Sequence, residues 1–393
     1  MKLPKFKLLP CVFGAIVLGI LCGLFFPLPL VRVFATFNAL FTELLGFVVP
    51  LIIVGLVVPS IADLGKDAGK LLILTAIIAY ASTLFSGFFT YLSCDLSFSA
   101  ILPHGVLGEM TATSGLPKVD PYFTLSFPPM IDVMSSLLMA FILGLGIAFI
   151  KGTALRDVMF DFKEIIEKLI HSAIVPLLPI YIFGVFVSMT TGGGIFHILW
   201  LFLRVVGVIF VLQAVLLVIQ FGVAGAVSGK SPWRLLKNML PAYFTALGTC
   251  SSAATIPVTL DQTLKNGVRE DIADFVVPLC ATIHLSGSTM KIVSIALAFM
   301  IMGDLPYDFM TYAGFICMLG LTMVAAPGVP GGAIVAAMGL LQSVLGFDEQ
   351  LLALMVAVYV AIDGFGTACN VTGDGAIAVI MDRLMGKPKE IAQ

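Results

Sequence analysis

The sequence predicts an all-α polytopic membrane protein: eight transmembrane helices plus two opposed re-entrant helical hairpins, arranged as an inverted repeat. Three observations carry the prediction, namely the bulk composition, the lengths of the apolar runs and the sidedness of the basic residues. Of 393 residues, 60% are hydrophobic and only 11% charged, with a mean hydropathy of +1.11. A soluble domain has no room to keep so many apolar side chains from water, and an ordinary globular chain is about a quarter charged. The net charge of −2 indicates neither a nucleic-acid surface nor an acidic tail. The seven cysteines are odd in number and most lie in apolar runs without CxxC spacing. They read as small hydrophobes rather than as a disulfide framework or a zinc site.

Apolar runs long enough to cross about 30 Å of hydrocarbon fall near 8–28, 37–62, 71–93, 128–150, 164–190, 196–227, 271–303 and 350–382. The first of these follows a basic start, as a secretory signal does. It is as long as a full span, however, and no small-residue cleavage site follows it, so it is expected to be a retained helix. Two further apolar stretches, 236–262 and 308–346, are interrupted by GTCSSAATIP at 248–257 and by APGVPGG at 326–332. Glycine and proline break the backbone ladder there, so each stretch is expected to enter the membrane partway and turn back. The segment 94–127, rich in Ser, Pro, Gly and Thr, is expected to be an outside loop or a set of short helices.

Cytoplasmic loops collect Lys and Arg. With the N-terminus inside, every one of the 21 basic residues falls on the cytoplasmic side except Arg32 and Lys118, which lie outside, and Arg204 and Lys291, which lie within spans. The first hairpin is flanked by basic cytoplasmic loops, whereas the second follows Asp304 and Asp308, so the two enter from opposite sides. Opposed hairpins, each followed by a span, make an inverted repeat that places a binding site near the bilayer midplane.

Ionisable residues inside a membrane mark function by default. In the last span, Asp363, Thr367, Asn370 and Asp374 are spaced by four, three and four residues, which puts them on one helical face. The stripe rises about 16 Å. A packing face glued by hydrogen bonds is one account; two acids without a base in the stripe favour a ligand or cation site. In the seventh span, His284, Ser288 and Lys291 lie at helical spacing. Lys291 sits too deep to snorkel comfortably, which leaves either a salt bridge to Asp363 or a substrate carboxylate as its partner. His284 reads as a hydrogen-bonded buried imidazole, although proton carriage is chemically open to it. Hairpin tips add half-helix N-termini that suit anions and unwound carbonyls that suit small cations. Ser251 and Ser252 contribute hydroxyls in the first tip, and Gly328, Gly331 and Gly332 with Pro327 and Pro330 give the second tip the character of a lid.

Together these segments resemble the dicarboxylate/amino acid:cation symporter family, the glutamate-transporter fold. SSAATIPVTL at 251–260 resembles the family's serine-rich first tip, Gly328 to Gly331 its G-V-P-G motif and Asn370 to Asp374 its N-V-T-G-D motif. The resemblance implies that Asp363 holds a substrate amino group, that Thr367 and Asn370 line the pocket, and that Ser252 contacts the substrate carboxylate. It further implies that Val329 and Gly331 form the lid tip. Asp374 would coordinate sodium with backbone oxygens of Cys280, His284 and Asn370, and Thr282 would fall in a strand-like break serving a second sodium site. It implies a homotrimer in lipid, with residues 1–190 mostly scaffold, the third span 71–93 moving with the core, and residues 196–385 forming the transport core.

The departures are as specific. The family's N-M-D-G-T motif appears as His284 to Ser288, so Ser286 replaces an acidic sodium ligand. The arginine that serves acidic substrates is replaced by Gly366, and a further acid by Tyr359. Lys291 stands where the family usually has tyrosine and could restore the lost positive charge. The expected function is a secondary active symporter, coupled most naturally to sodium, that imports a small neutral or acidic amino acid across the plasma membrane (the inner membrane in a bacterium). The alternative is a C4-dicarboxylate or other amine-free carboxylate, with the charge of Asp363 neutralised by Lys291. No catalytic residues and no organic cofactor are expected. A membrane hydrolase using a serine with His284 is a weaker rival, because no orienting acid or nucleophile elbow accompanies them. A passive channel would differ in that its flux would need no coupling-ion gradient and would not saturate.

Overall fold

In the computed structural model, residues 8–63, 70–105, 119–191, 195–324, 326 and 331–386 are described. Among them every regular element is helical. Five helices are long and apolar enough to cross a membrane, Leu28–Pro59, Lys70–Ile101, Ala154–Thr191, Trp200–Ser228 and Glu270–Met302. A sixth results if Leu354–Ala361 and Asp363–Leu384, bent by 59°, form one broken span. The remaining apolar helices are shorter, and the first and fourth predicted spans fall on Leu8–Gly23 and Val133–Phe149, of 16 and 17 residues.

The N-terminal half contributes α1 (Leu8–Gly23), α2 (Leu28–Asp63), α3 (Lys70–Ile101), α4 (Val133–Phe149), α5 (Ala154–Leu169) and α6 (Val175–Thr191). Helix α3 takes the first residues of the segment expected to be an outside loop; residues 106–118 of that segment lie outside the described residues. The fifth predicted span, 164–190, is longer than expected because α5 extends it back to Ala154, and the exposed pair Glu164 and Lys168 lies at 2.7 Å on α5. A π-turn over Ile170–Ile174 joins α5 to α6, with Val175 N donating to Ile170 O. The wider turn lies immediately before Pro176, which has no N–H to offer the ladder. After the third span, Tyr122 N donates to Thr36 Oγ1 and Phe127 N to Glu43 Oε2, so residues 120–127 run along α2.

The C-terminal half contains α7 (Ile195–Ser228), α8 (Pro232–Thr249), α9 (Ser252–Lys265), α10 (Glu270–Ile283), α11 (Ser286–Met302), α12 (Phe309–Val324), α13 (Gly332–Leu345), α14 (Glu349–Ala361) and α15 (Asp363–Leu384). The interruption expected in the first hairpin falls at Cys250, a non-glycine residue at φ +50°, followed by Ser251, whose hydroxyl accepts from Ala254 N and caps α9. In the second, residues 327–330 lie outside the described residues, and Gly331 at φ +75° starts α13. The seventh and eighth predicted spans are each broken, at His284–Leu285 and at Ile362.

Helices α1, α2, α4 and α6 pack chiefly on one another, while α15 is surrounded by α7, α8, α9, α10 and α11, with α3 against α11. Helix α11 is wholly buried. The α1–α6 contact depends on Gly19 and Gly23, one turn apart. A Cβ on Gly19 would lie 2.8 Å from Phe183 O, and one on Gly23 would lie 2.6 Å from Thr190 Cβ. This is the small-xxx-small packing by which helices approach closely in lipid. At Gly14 a Cβ would meet open space. Replacing a helix-interior glycine by alanine raises helix propensity by up to about 1 kcal/mol, whereas overpacking costs about 1–3 kcal/mol. Gly14→Ala is therefore expected to hold or raise the thermal unfolding midpoint in detergent, and Gly19→Ala to lower it; equal midpoints would contradict this packing.

Candidate functional site

The site lies where three helix breaks meet. At Ile362 the chain bends, and Asp363 becomes the first residue of α15, with its carboxylate buried. Its Oδ1 accepts from Lys291 Nζ at 2.9 Å, and its Oδ2 accepts from Gly331 N at 2.7 Å. One carboxylate thus ties α11 to the start of α13. Of the two partners that the sequence left open for Lys291, the structure pairs it with Asp363.

Lys291 is completely buried, and its ammonium also lies 3.6 Å from the centroid of the Tyr359 ring. A cation over an aromatic face gains electrostatic stabilisation when water is excluded. The lysine stem crosses α15 over Gly366, where an added Cβ would collide with Lys291 Cε. The absence of a side chain at Gly366 is therefore what makes room for Lys291.

Two turns further along α15, Asn370 faces the second break. Its Oδ1 accepts from Gly287 N at 2.7 Å and Ser288 N at 3.2 Å, and its Nδ2 donates to Ser288 Oγ at 2.9 Å. The amide thereby caps α11 from a neighbouring helix, satisfying N–H groups that the broken span leaves without intrahelical partners. Gly287 is needed for this approach, because a Cβ there would lie 2.6 Å from Cys369 Cβ and from Gly366 O.

Asp374 and His284 form the second buried pair, with Oδ1 and Nδ1 2.8 Å apart. The other ring nitrogen, His284 Nε2, lies 3.0 Å from Ser82 Oγ on α3. Gln220 Nε2 on α7 donates to that hydroxyl at 3.1 Å and to Ser286 Oγ at 3.3 Å. Gly373 leaves room for the ring, since a Cβ there would lie 2.8 Å from His284 Cε1. Asp374 Oδ2, by contrast, is buried and has no hydrogen-bond partner among the described residues. A buried acceptor left this way costs about 1–3 kcal/mol, more when charged.

The predicted site residues sort accordingly. Lys291, Gly331 and Asp363 are in direct contact, as are Ser288 with Asn370 and His284 with Asp374. Thr367 Oγ1 turns back on its own helix, donating to Asp363 O at 3.1 Å. Ser251 and buried Ser252 stand at the first tip, which reaches α15 where a Cβ on Gly364 would lie 2.5 Å from Leu247 O and 3.2 Å from Cys250 Sγ. Cys280 is buried one turn before His284, and its carbonyl accepts from His284 N at 2.9 Å. Thr282 is a correction to the sequence reading. It lies in the last turn of α10, not in the break, and its exposed hydroxyl donates to Leu279 O at 2.7 Å. The ladder fails two residues later, where the His284 ring is held by Asp374 and Ser82. Val329 lies outside the described residues.

Ser82 and Gln220 were not among the predicted site residues. Gln220 had a signal, for it and buried Gln213 are amides seven residues apart in an otherwise apolar run and so share a helical face. Ser82 has none, because short hydroxyl side chains are common on such helices.

Serine/threonine transporters align along nearly the whole chain. The serine/threonine transporter SstT of Acinetobacter baylyi is 26% identical over 403 residues, covering 96% of this chain and 98% of its own. That of Acinetobacter baumannii strain AYE is 25% identical over 393 residues, covering 96% and 97%. Excitatory amino acid transporter 1 of Rattus norvegicus is 33% identical over 165 residues, covering 40% of this chain and 29% of that transporter. Residues 8–384 match the sodium:dicarboxylate symporter family, a span that holds both buried ion pairs and all three breaks, and the chain belongs to that family.

Proposed function

We propose that the protein is a secondary active symporter that couples the inward movement of a cation, sodium first, to uptake of a small neutral or acidic amino acid by alternating access. The observation that carries this reading is the double attachment of Asp363, to Lys291 in the core and to Gly331 at the tip of the second hairpin. A group that binds both a charge and a lid can make closure depend on what occupies the pocket. When the tip retracts, Asp363 Oδ2 is released for the substrate ammonium. The substrate carboxylate then goes to the first tip, where Ser251, Ser252 and the N-terminus of α9 offer hydroxyl and N–H donors. Asp374 Oδ2, without a partner, supports a cation site beside His284. The full-length likeness to serine/threonine transporters supports an amino-acid substrate.

The Lys291 pair favours a second reading. An ammonium already seated on Asp363 leaves no unmatched negative charge for a substrate amine, which suits a C4-dicarboxylate or another amine-free carboxylate. In either reading α3 and α7–α15 form the transport core, the remaining N-terminal helices form the scaffold of a homotrimer in the plasma membrane, and the N-terminus is cytoplasmic.

Proteoliposome uptake of serine, threonine, alanine, aspartate and succinate, with sodium and proton gradients imposed separately, separates the readings. Sodium-driven accumulation of an amino acid is expected, and accumulation of succinate alone would establish the second. Asp374→Ala is expected to raise the sodium concentration for half-maximal uptake at least tenfold, by removing a charged ligand worth more than about 1.4 kcal/mol; an unchanged midpoint would remove the cation from this position. Lys291→Met should impair acidic substrates more than neutral ones, and Gly366→Ala, which displaces the lysine stem, should do so more mildly. Equal loss for every substrate would make Lys291 a structural counter-ion only.

A further inference from the structure

Away from the site, α3 and α7 leave a groove of about 630 Å³ between them. Ser93 and Ser97 line it from α3, and Arg204, Gly207, Val208 and Val211 line it from α7. Each set lies on one face of its helix, at spacings of three and four residues. The groove is therefore apolar along most of its length and carries one cation. The Arg204 side chain is exposed, and Nη1 donates to Ile101 O at 3.0 Å, capping the end of α3. Its guanidinium also lies 5.5 Å from the centroid of the exposed Trp200 ring. Among the described residues no carboxylate lies within ion-pair distance of it.

An unpaired charge at hydrocarbon depth is expensive. Tryptophan marks the headgroup level, and Arg204 is one turn deeper than Trp200, on the apolar side of that boundary. Neither the carbonyl of Ile101 nor the indole neutralises the guanidinium, which has five N–H donors to place. A phosphate at headgroup depth would take them bidentately. Below the arginine, Gly207 leaves open space beyond its Cα, with nothing within 4 Å of an added Cβ. Val208 and Val211 continue a smooth apolar wall, which is the surface an acyl chain needs.

We propose that this groove holds one anionic glycerophospholipid, with its phosphate on Arg204 and an acyl chain along Gly207, Val208 and Val211. The orientation proposed above puts this end of α7 outside, so the lipid belongs to the outer leaflet. The inference rests on the chain being membrane-embedded and not on the identity of its substrate. Since α3 packs on α11 and α7 packs on α15, the lipid bridges two helices that flank the ion pairs.

The test is the number of phosphatidylglycerol molecules retained per protomer, counted by native mass spectrometry after extraction from mixed phosphatidylcholine and phosphatidylglycerol vesicles. Wild type is expected to retain phosphatidylglycerol in preference to phosphatidylcholine. Arg204→Gln should lower that retention about fivefold, the effect of one basic residue near an anionic lipid surface. Gly207→Phe keeps the guanidinium and fills the chain's seat, so it should lower retention comparably. Retention at the wild-type level in either variant would overturn the proposal, as would equal retention of the two lipids by wild type.

Discussion

A carboxylate moved from water to hydrocarbon without compensation costs several kcal/mol even after relaxation, and the interior of this protein is built around that cost at Asp363. Its two oxygens are satisfied by two different parts of the fold, the ammonium of Lys291 and the N–H of Gly331. Each attachment has its own requirement. Lys291 reaches its position only because Gly366 has no side chain, and its charge is supported by the face of Tyr359. Gly331 presents its N–H at φ +75°, a left-handed conformation that glycine adopts without steric cost. The break at Ile362 then places the carboxylate at the start of α15, within reach of both.

The second buried pair obeys the same constraint with a different result. Asp374 is matched through one oxygen by His284, which is oriented in turn by Ser82 and Gln220 from two further helices. The other oxygen has no partner among the described residues. Between the pairs, Asn370 uses its amide to cap α11, so the break in the seventh span is stabilised by the same helix that carries both acids. The pairs lie about 16 Å apart along α15, from the rise of 1.5 Å per residue. They are linked by a rigid helix, and between them Asn370 binds the N-terminus of α11.

Much of this was legible in the sequence, because charge in an apolar run has few physical explanations. The spacing of Asp363, Thr367, Asn370 and Asp374 gave the buried face directly, and Lys291 stood out as a base that could not reach water. What the sequence left open was partner choice, since a salt bridge to Asp363 and a substrate carboxylate use the same lysine charge. The breaks were legible only where glycine and proline cluster. At His284 and Ile362 the ladder yields to tertiary hydrogen bonds, which leave no local composition signal. Thr282, placed in the break by the resemblance, lies before it. Gly19 and Gly23 show the same limit, for their value depends on the facing backbone of α6.

The residues that depart from the resemblance fall together around these pairs, and their summed effect is a less negative pocket. Lys291 supplies from α11 a positive charge that the resemblance places at position 366 on α15, and its stem fits only because Gly366 has no side chain. Ser286 and Tyr359 each stand where the resemblance places an acid, which lowers the fixed negative charge of the pocket by two. Ser286 is instead held by the amide of Gln220, and Tyr359 by the ammonium it faces. In a low-dielectric site the number of bound cations follows the fixed negative charge they must offset. A pocket with one acid paired internally to lysine and the other paired through a single oxygen to histidine has, among the described residues, one unmatched carboxylate oxygen, Asp374 Oδ2. In the proposed cycle the coupling cation is therefore concentrated at that atom, at the far end of α15 from the lid. In that cycle Asn370, which binds the N-terminus of α11, stands between the cation and Asp363.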